Sequence, residues 1–153
     1  MKSLPKVFKN VKGFTLIELL VVIGILAILL SIVLIAINPA RQFGQANDTK
    51  RRSAVTQILN AVGAYTAENK GQLPTQITTL DQEISAAGAN LCAVLVSNYI
   101  PALPTDPVLN TADIDSTCPA GYATGYHIIK DASNRVTVSA PNAEITTPIN
   151  ITR

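Results

Sequence analysis

Lys12-Gly13-Phe14-Thr15-Leu16-Ile17-Glu18 opens a run of 24 residues, Phe14 to Ile37, in which Glu18 is the only ionisable side chain. As a helix this run reaches ~36 Å at ~1.5 Å per residue, enough to cross a ~30 Å hydrocarbon core. Leu, Ile and Val fill it on every side, so it has no polar face with which to lie on a soluble domain. Lys2, Lys6, Lys9 and Lys12 precede it, and the first 13 residues contain no acid. A basic leader, a small residue and a membrane-length helix follow one another. The chain is expected to be membrane-inserted.

A secretory signal peptide would have a shorter apolar region, followed by a small-residue cleavage site. Here the run is long and ends in Ile37-Asn38-Pro39-Ala40, and the small residue, Gly13, stands before it. An uncleaved signal anchor accounts for the length and the leader but not for Glu18. A charge costs about 2.5–3.5 kcal/mol near the bilayer centre and less near the interface, and a carboxylate retained there calls for a partner.

The stretch Gly13-Phe14-Thr15-Leu16-Ile17-Glu18-Leu19-Leu20-Val21-Val22 resembles the class III signal of type IV pilins and pseudopilins. The resemblance implies that a prepilin peptidase/methyltransferase cuts between Gly13 and Phe14 and N-methylates the new amino terminus on Phe14. It matches Glu18 to the family's assembly glutamate. The physics is consistent with this. A freed α-amine near hydrocarbon and a carboxylate about one turn away each lose less by pairing than by standing alone. Between staggered neighbouring subunits the same pair would set the register.

The formal charge is +2, but without the four leader Lys the side chains number eight basic and ten acidic, a balance of −2. That balance disfavours a nucleic-acid-binding surface. Arg41, Lys50, Arg51 and Arg52 follow the apolar run closely, so positive charge alone does not decide orientation. The family resemblance does: leader inside, C-terminal part outside. Cys92 and Cys118 then fall in a compartment that permits disulfides. A bridge between them is expected, the alternative being two unpaired buried thiols.

Beyond Pro39 the apolar positions Ala46, Val55, Ile58, Leu59, Val62 and Tyr65 recur near helical spacing. Asp48, Lys50, Arg51, Gln57, Asn60 and Glu68 stand on the other side. The reading is one bent helix continuing to about Asn69, ended by Gly71. The Lys50-Arg51-Arg52 run reads as a solvated helix face or as cations paired with a neighbour's acids. One or two short helices are expected in 75–100, with Asn90 as an N-cap. Tyr99-Ile100-Pro101-Ala102-Leu103-Pro104-Thr105-Asp106-Pro107 has three prolines in seven residues and reads as an extended connector. It resembles a structural stretch that precedes the sheet of many pilins. Asp106, Asp113 and Asp115 lie in one loop, and some major pseudopilins hold calcium in that region. No EF-hand-like Gly or terminal Glu accompanies them, and Asp is also a turn former, so no metal is assigned. Tyr122–Lys130 and Arg135–Ala140 alternate about an Asp131–Asn134 turn, as a hairpin does. Ile145, Ile149 and Ile151 suggest a third strand, which Pro148 confines to an edge. His127, the single histidine, reads as a structural strand residue.

No catalytic motif and no cofactor motif is present. The expected fold is α+β: a long N-terminal helix, transmembrane in its first half and amphipathic in its second, on a small C-terminal antiparallel sheet. The organisation read from the chain is a leader over 1–13, a membrane or filament-core helix over 14–37 and an extracytoplasmic head over 38–153. The expected function is a non-enzymatic subunit of a type IV pilus-like filament. The alternative is a pseudopilin of a type II secretion or DNA-uptake machine. The expected partners are the prepilin peptidase, other copies in a helical filament, an inner-membrane assembly platform and membrane lipid, with no nucleic acid. The resemblance implies a single pass through the cytoplasmic membrane before assembly and a cell-surface filament after it.

Overall fold

The computed structural model describes residues 13–145 and 148–153. The leader cations Lys2, Lys6, Lys9 and Lys12 lie outside the described residues. The chain divides into two compact units, Met1–Pro39 and Ala40–Arg153.

The first unit is built on helix α1, Leu16–Ile37, 22 residues with no buried side chain. It is long and apolar enough to cross a membrane. Ser31 donates its hydroxyl to the Ala27 carbonyl at 2.9 Å, so the one hydroxyl inside the helix is satisfied within it. Asn38 closes α1 with φ 47°, and a second helix, α2, runs Pro39–Glu68. Two helices therefore replace the expected single bent one. Pro39 lacks an N–H and crowds the residue before it, and Asn tolerates the left-handed conformation that results.

The second unit carries α2, the strand β1 Gln82–Ser85, the single turn α3 Cys92–Leu95 and the strands β2 Ala123–Lys130, β3 Val136–Ala140 and β4 Ile149–Thr152. The strands form one sheet in the order β1-β2-β3-β4, every neighbour antiparallel. The hairpin pairs Lys130 with Val136, and its loop closes through Asp131 N–H donating to the Arg135 carbonyl at 2.9 Å. β4 starts directly after Pro148 and takes the edge, where a residue without an N–H costs no ladder bond. β1 is the departure from expectation: a helix was read across this region, and Gln82–Ser85 pairs with β2 instead. The helical turn that does form is capped by Leu91, while Asn90 uses its side chain to accept the Tyr122 hydroxyl at 3.0 Å.

Val55, Ile58, Leu59 and Val62 of α2 share one buried cluster with Ile84, Tyr126, Ile128, Val136, Val138 and Ile149 of the sheet. Tyr65 is half-buried against it, Ala46 is exposed, and Gly71 at φ 85° follows the end of α2.

Candidate processing and assembly segment

Gly13, Phe14 and Thr15 lie ahead of α1, the Thr15 carbonyl accepting the Leu19 N–H at 3.3 Å, and Phe14 is 86% exposed. Thr15 is the N-cap, in extended geometry at φ −80° and ψ 152°. Its hydroxyl accepts the Glu18 N–H at 3.2 Å, and Glu18 reaches back to the Thr15 N–H and hydroxyl, each at 2.8 Å. This is a reciprocal capping box, which satisfies backbone donors at the start of the helix. Glu18 thus has a partner inside its own chain that composition alone did not disclose. Gly13 and Phe14 sit immediately before this box, outside the helix.

In the second unit Cys92 and Cys118 are joined, with Cα atoms 5.7 Å apart. The bridge ties the start of α3 to the loop before β2. The three loop aspartates do not converge. Asp106 is buried against Arg51, Asp113 accepts the Thr105 N–H at 3.0 Å, and Asp115 accepts the Thr117 N–H and hydroxyl at 3.0 and 2.6 Å. Those last two bonds hold the Asp115 carboxyl below its ordinary range, the hydroxyl contributing most. Among the described residues no group of three or more His, Cys, Asp or Glu is arranged to hold a metal ion. His127 lies on β2, opposite Glu83 across the ladder, with Nδ1 3.4 Å from Asp81.

The largest correction concerns Arg51, which sequence reasoning put on a solvated face. It is fully buried. Its guanidinium takes Asp106 in a two-pronged contact, Nε at 2.9 Å and Nη2 at 3.0 Å, and Nη1 reaches Asp48 at 2.9 Å and Glu144 at 3.1 Å. Asp48, also assigned to the polar face, is buried and accepts the backbone N–H groups of Glu144 and Ile145, each at 2.9 Å. The Asp106 contact above all raises the Arg51 pKa, against the opposing effect of burial. Lys50 and Arg52 are exposed, as expected. The signal within reach was the three-residue spacing of Asp48 and Arg51, which puts them on one helix face. Asp106 and Glu144 come from 55 and 93 residues away and left no local trace.

Among the described residues, one apolar helix long enough to cross a membrane, with Glu18 in its capping box, precedes an α+β head. Residues 8–34 match the prokaryotic N-terminal methylation motif. The chain is also 33% identical over 89 residues to the type IV wide pilus major component PilA4 of Thermus thermophilus. That alignment covers 58% of this chain and 66% of that protein, just under two thirds of the relative's length. No solved structure matches. The chain thus carries the N-terminal methylation motif and is similar, over part of its length, to a type IV pilin.

Proposed function

We propose that this chain is a structural, non-enzymatic subunit of a type IV pilus-like filament, made as a precursor with a leader over residues 1–13. Prepilin peptidase hydrolyses the Gly13–Phe14 bond, and the freed Phe14 amine is methylated. The helix over 14–37 holds the subunit in the cytoplasmic membrane and then becomes filament core, while 38–153 is displayed outside. The observation that carries this reading is α1 itself. Its 22 residues bury nothing within the chain, so their apolar surface is covered either by lipid or by other copies of the same helix. Glu18 is the assembly residue. Its carboxylate, held by Thr15 in the lone subunit, is offered to the Phe14 amine of a neighbour in the water-poor core, which favours one axial stagger. An inner-membrane assembly platform supplies the subunits.

Peptide mapping of the sheared surface fraction tests the processing: the mature chain starts at methylated Phe14. Intact Met1 on most assembled molecules overturns the reading. Electron microscopy of cells with and without the chain tests the assembly, long surface filaments being expected. Short stubs confined to the envelope would identify a pseudopilin of a secretion or DNA-uptake machine instead.

A further inference from the structure

The first turns of α2 expose charge of one sign. Between Pro39 and Ala67 the helix has a single acid, Asp48, which is buried and engaged by Arg51 and by the Glu144 and Ile145 amides. Arg41, Lys50 and Arg52 are exposed there. Lys50 and Arg52 make no ion pair among the described residues. Glu144, which the fold brings alongside, is occupied by Arg51 and Asn47. The helix therefore presents cations at its start and no exposed acid before Glu68.

Among these cations stands Phe43, 72% exposed, the most exposed large apolar side chain of Ala40–Arg153. Ile145, also exposed, lies over Gly44 and beside Arg52 and adds a second apolar group. Water is a poor surrounding for a phenyl ring, and a wholly apolar partner is a poor one for guanidinium and ammonium groups. A surface that sets anionic groups over hydrocarbon serves both, the ring entering it and the long cationic side chains reaching out to its charges.

The place of these residues in the chain says which such surface is at hand. Phe43 is six residues beyond Ile37, where the apolar helix ends, and six residues reach at most about 20 Å even fully extended. Arg41 is closer still. With α1 in a bilayer, neither lies far from the lipid head groups. A second copy presenting the same turns at the same level brings more cations and is repelled, whereas phospholipid phosphates neutralise them. Along the axis of α2, Lys50 and Arg52 lie ~14 and ~17 Å beyond Arg41, more than one Debye length of ~8 Å. Arg41 and Phe43 therefore make the contact, and the other two cations only strengthen the attraction.

We infer that the first turns of α2 dock on anionic phospholipid head groups, Phe43 entering the bilayer interface and Arg41 pairing with phosphate. The inference rests on α1 spanning a membrane, as in the function proposed above. Docking fixes the depth of the unassembled subunit, and withdrawal of the subunit from the membrane breaks it.

The chain has no tryptophan, so Phe43→Trp gives the full chain in vesicles a single emitter at this point. Its emission should be blue-shifted, and brominated phosphatidylglycerol should quench it more strongly than brominated phosphatidylcholine. Adding Arg41→Gln should lower that preference by up to about fivefold, the scale of one cation at an anionic surface. Lys50→Gln or Arg52→Gln should lower it less, and about 0.5 M salt should weaken it in every variant. Flotation with the vesicles reports α1 insertion separately. Protein that does not float overturns the membrane reading, and this inference with it. Floating protein with solvent-like emission from residue 43 overturns the docking alone. So does equal quenching by both lipids that Arg41→Gln leaves unchanged, or a blue shift that develops only as the protein-to-lipid ratio rises, which would make a second copy the occupant.

Discussion

Helices α1 and α2 follow one another in the chain and reverse the usual relation between polarity and burial. α1 is almost wholly apolar and buries nothing; α2 is largely polar and buries a guanidinium. Each also handles its ionisable groups differently. Glu18 is satisfied by groups three residues away, through Thr15, and that solution is complete in an isolated helix. Arg51 is satisfied only by a folded head, through carboxylates at Asp106 and Glu144 as well as Asp48. The contrast separates two kinds of incompleteness. The apolar helix is locally self-sufficient and lacks a surrounding; the polar helix is locally deficient and finds its surrounding in the same chain. The first therefore calls for a covering that the described residues do not supply, and the second does not.

Perturbing the two helices should give failures of different kinds. The largest effect is expected from Glu18→Leu. Processed, membrane-held subunit should accumulate at normal amounts, because Gly13 and Phe14 are untouched and a costly group is gone from the helix. Filaments counted by electron microscopy should be few or absent. Wild-type filament numbers would show that the carboxylate has no part in assembly.

Arg51→Met should do the reverse, destabilising the head without affecting insertion. Removing the guanidinium strands Asp106 and Asp48 in the interior, a loss of about 3–5 kcal/mol. Denaturant unfolding of the detergent-solubilised chain would report it, and a loss under 1 kcal/mol would mean that the cluster behaves like a surface pair.

The disulfide comes next. Replacing Cys92 and Cys118 by Ala together frees a loop with a sequence separation of 26, for which loop entropy gives ~3–4 kcal/mol. Thiol labelling of the native wild type should be negligible without reductant, and quantitative labelling would exclude the bridge.

The smallest effect is a matter of pH. The Asp131 carboxyl is held below its ordinary value chiefly by the Arg135 N–H, with the Arg135 guanidinium and the Ser133 N–H adding to it. A depressed carboxyl contributes stability that is present above its unfolded value of about 3.9 and is lost as pH falls through the folded value. Asp131→Asn should accordingly melt slightly below the wild type at neutral pH, and the gap should close in acid. A gap that widens in acid would reverse the assignment.

Much of this architecture could be read locally. α1 is given by composition, the β2–β3 hairpin by alternation about Asp131–Asn134, and the edge position of β4 by Pro148. Most of what escaped depends on a distant partner, the local Thr15–Glu18 box excepted. Gln82–Ser85 is a strand because β2 lies beside it, and four residues carry too short a pattern to declare that alone. Lys50-Arg51-Arg52 has one composition and two fates, decided by carboxylates far along the chain. In the processing segment the residue identities were legible and the Thr15–Glu18 box was not, although Thr followed three residues later by Glu is its known signature. The helix break at Asn38 was half legible: Pro39 announced a disturbance and left open whether the helix would bend or stop.

The placement of Arg51 also has a consequence in time. Strands β1 to β4 pair in chain order, so the sheet can be laid down as the polypeptide emerges. Arg51 is made early, while Glu144, and the Glu144 and Ile145 amides that occupy Asp48, arrive among the last ten or so residues. Until they arrive, an ion pair destined for the interior is only partly enclosed. The cluster is therefore complete only when two distant parts of the head have met, Asp48 and Arg51 near its start and Glu144 near its end.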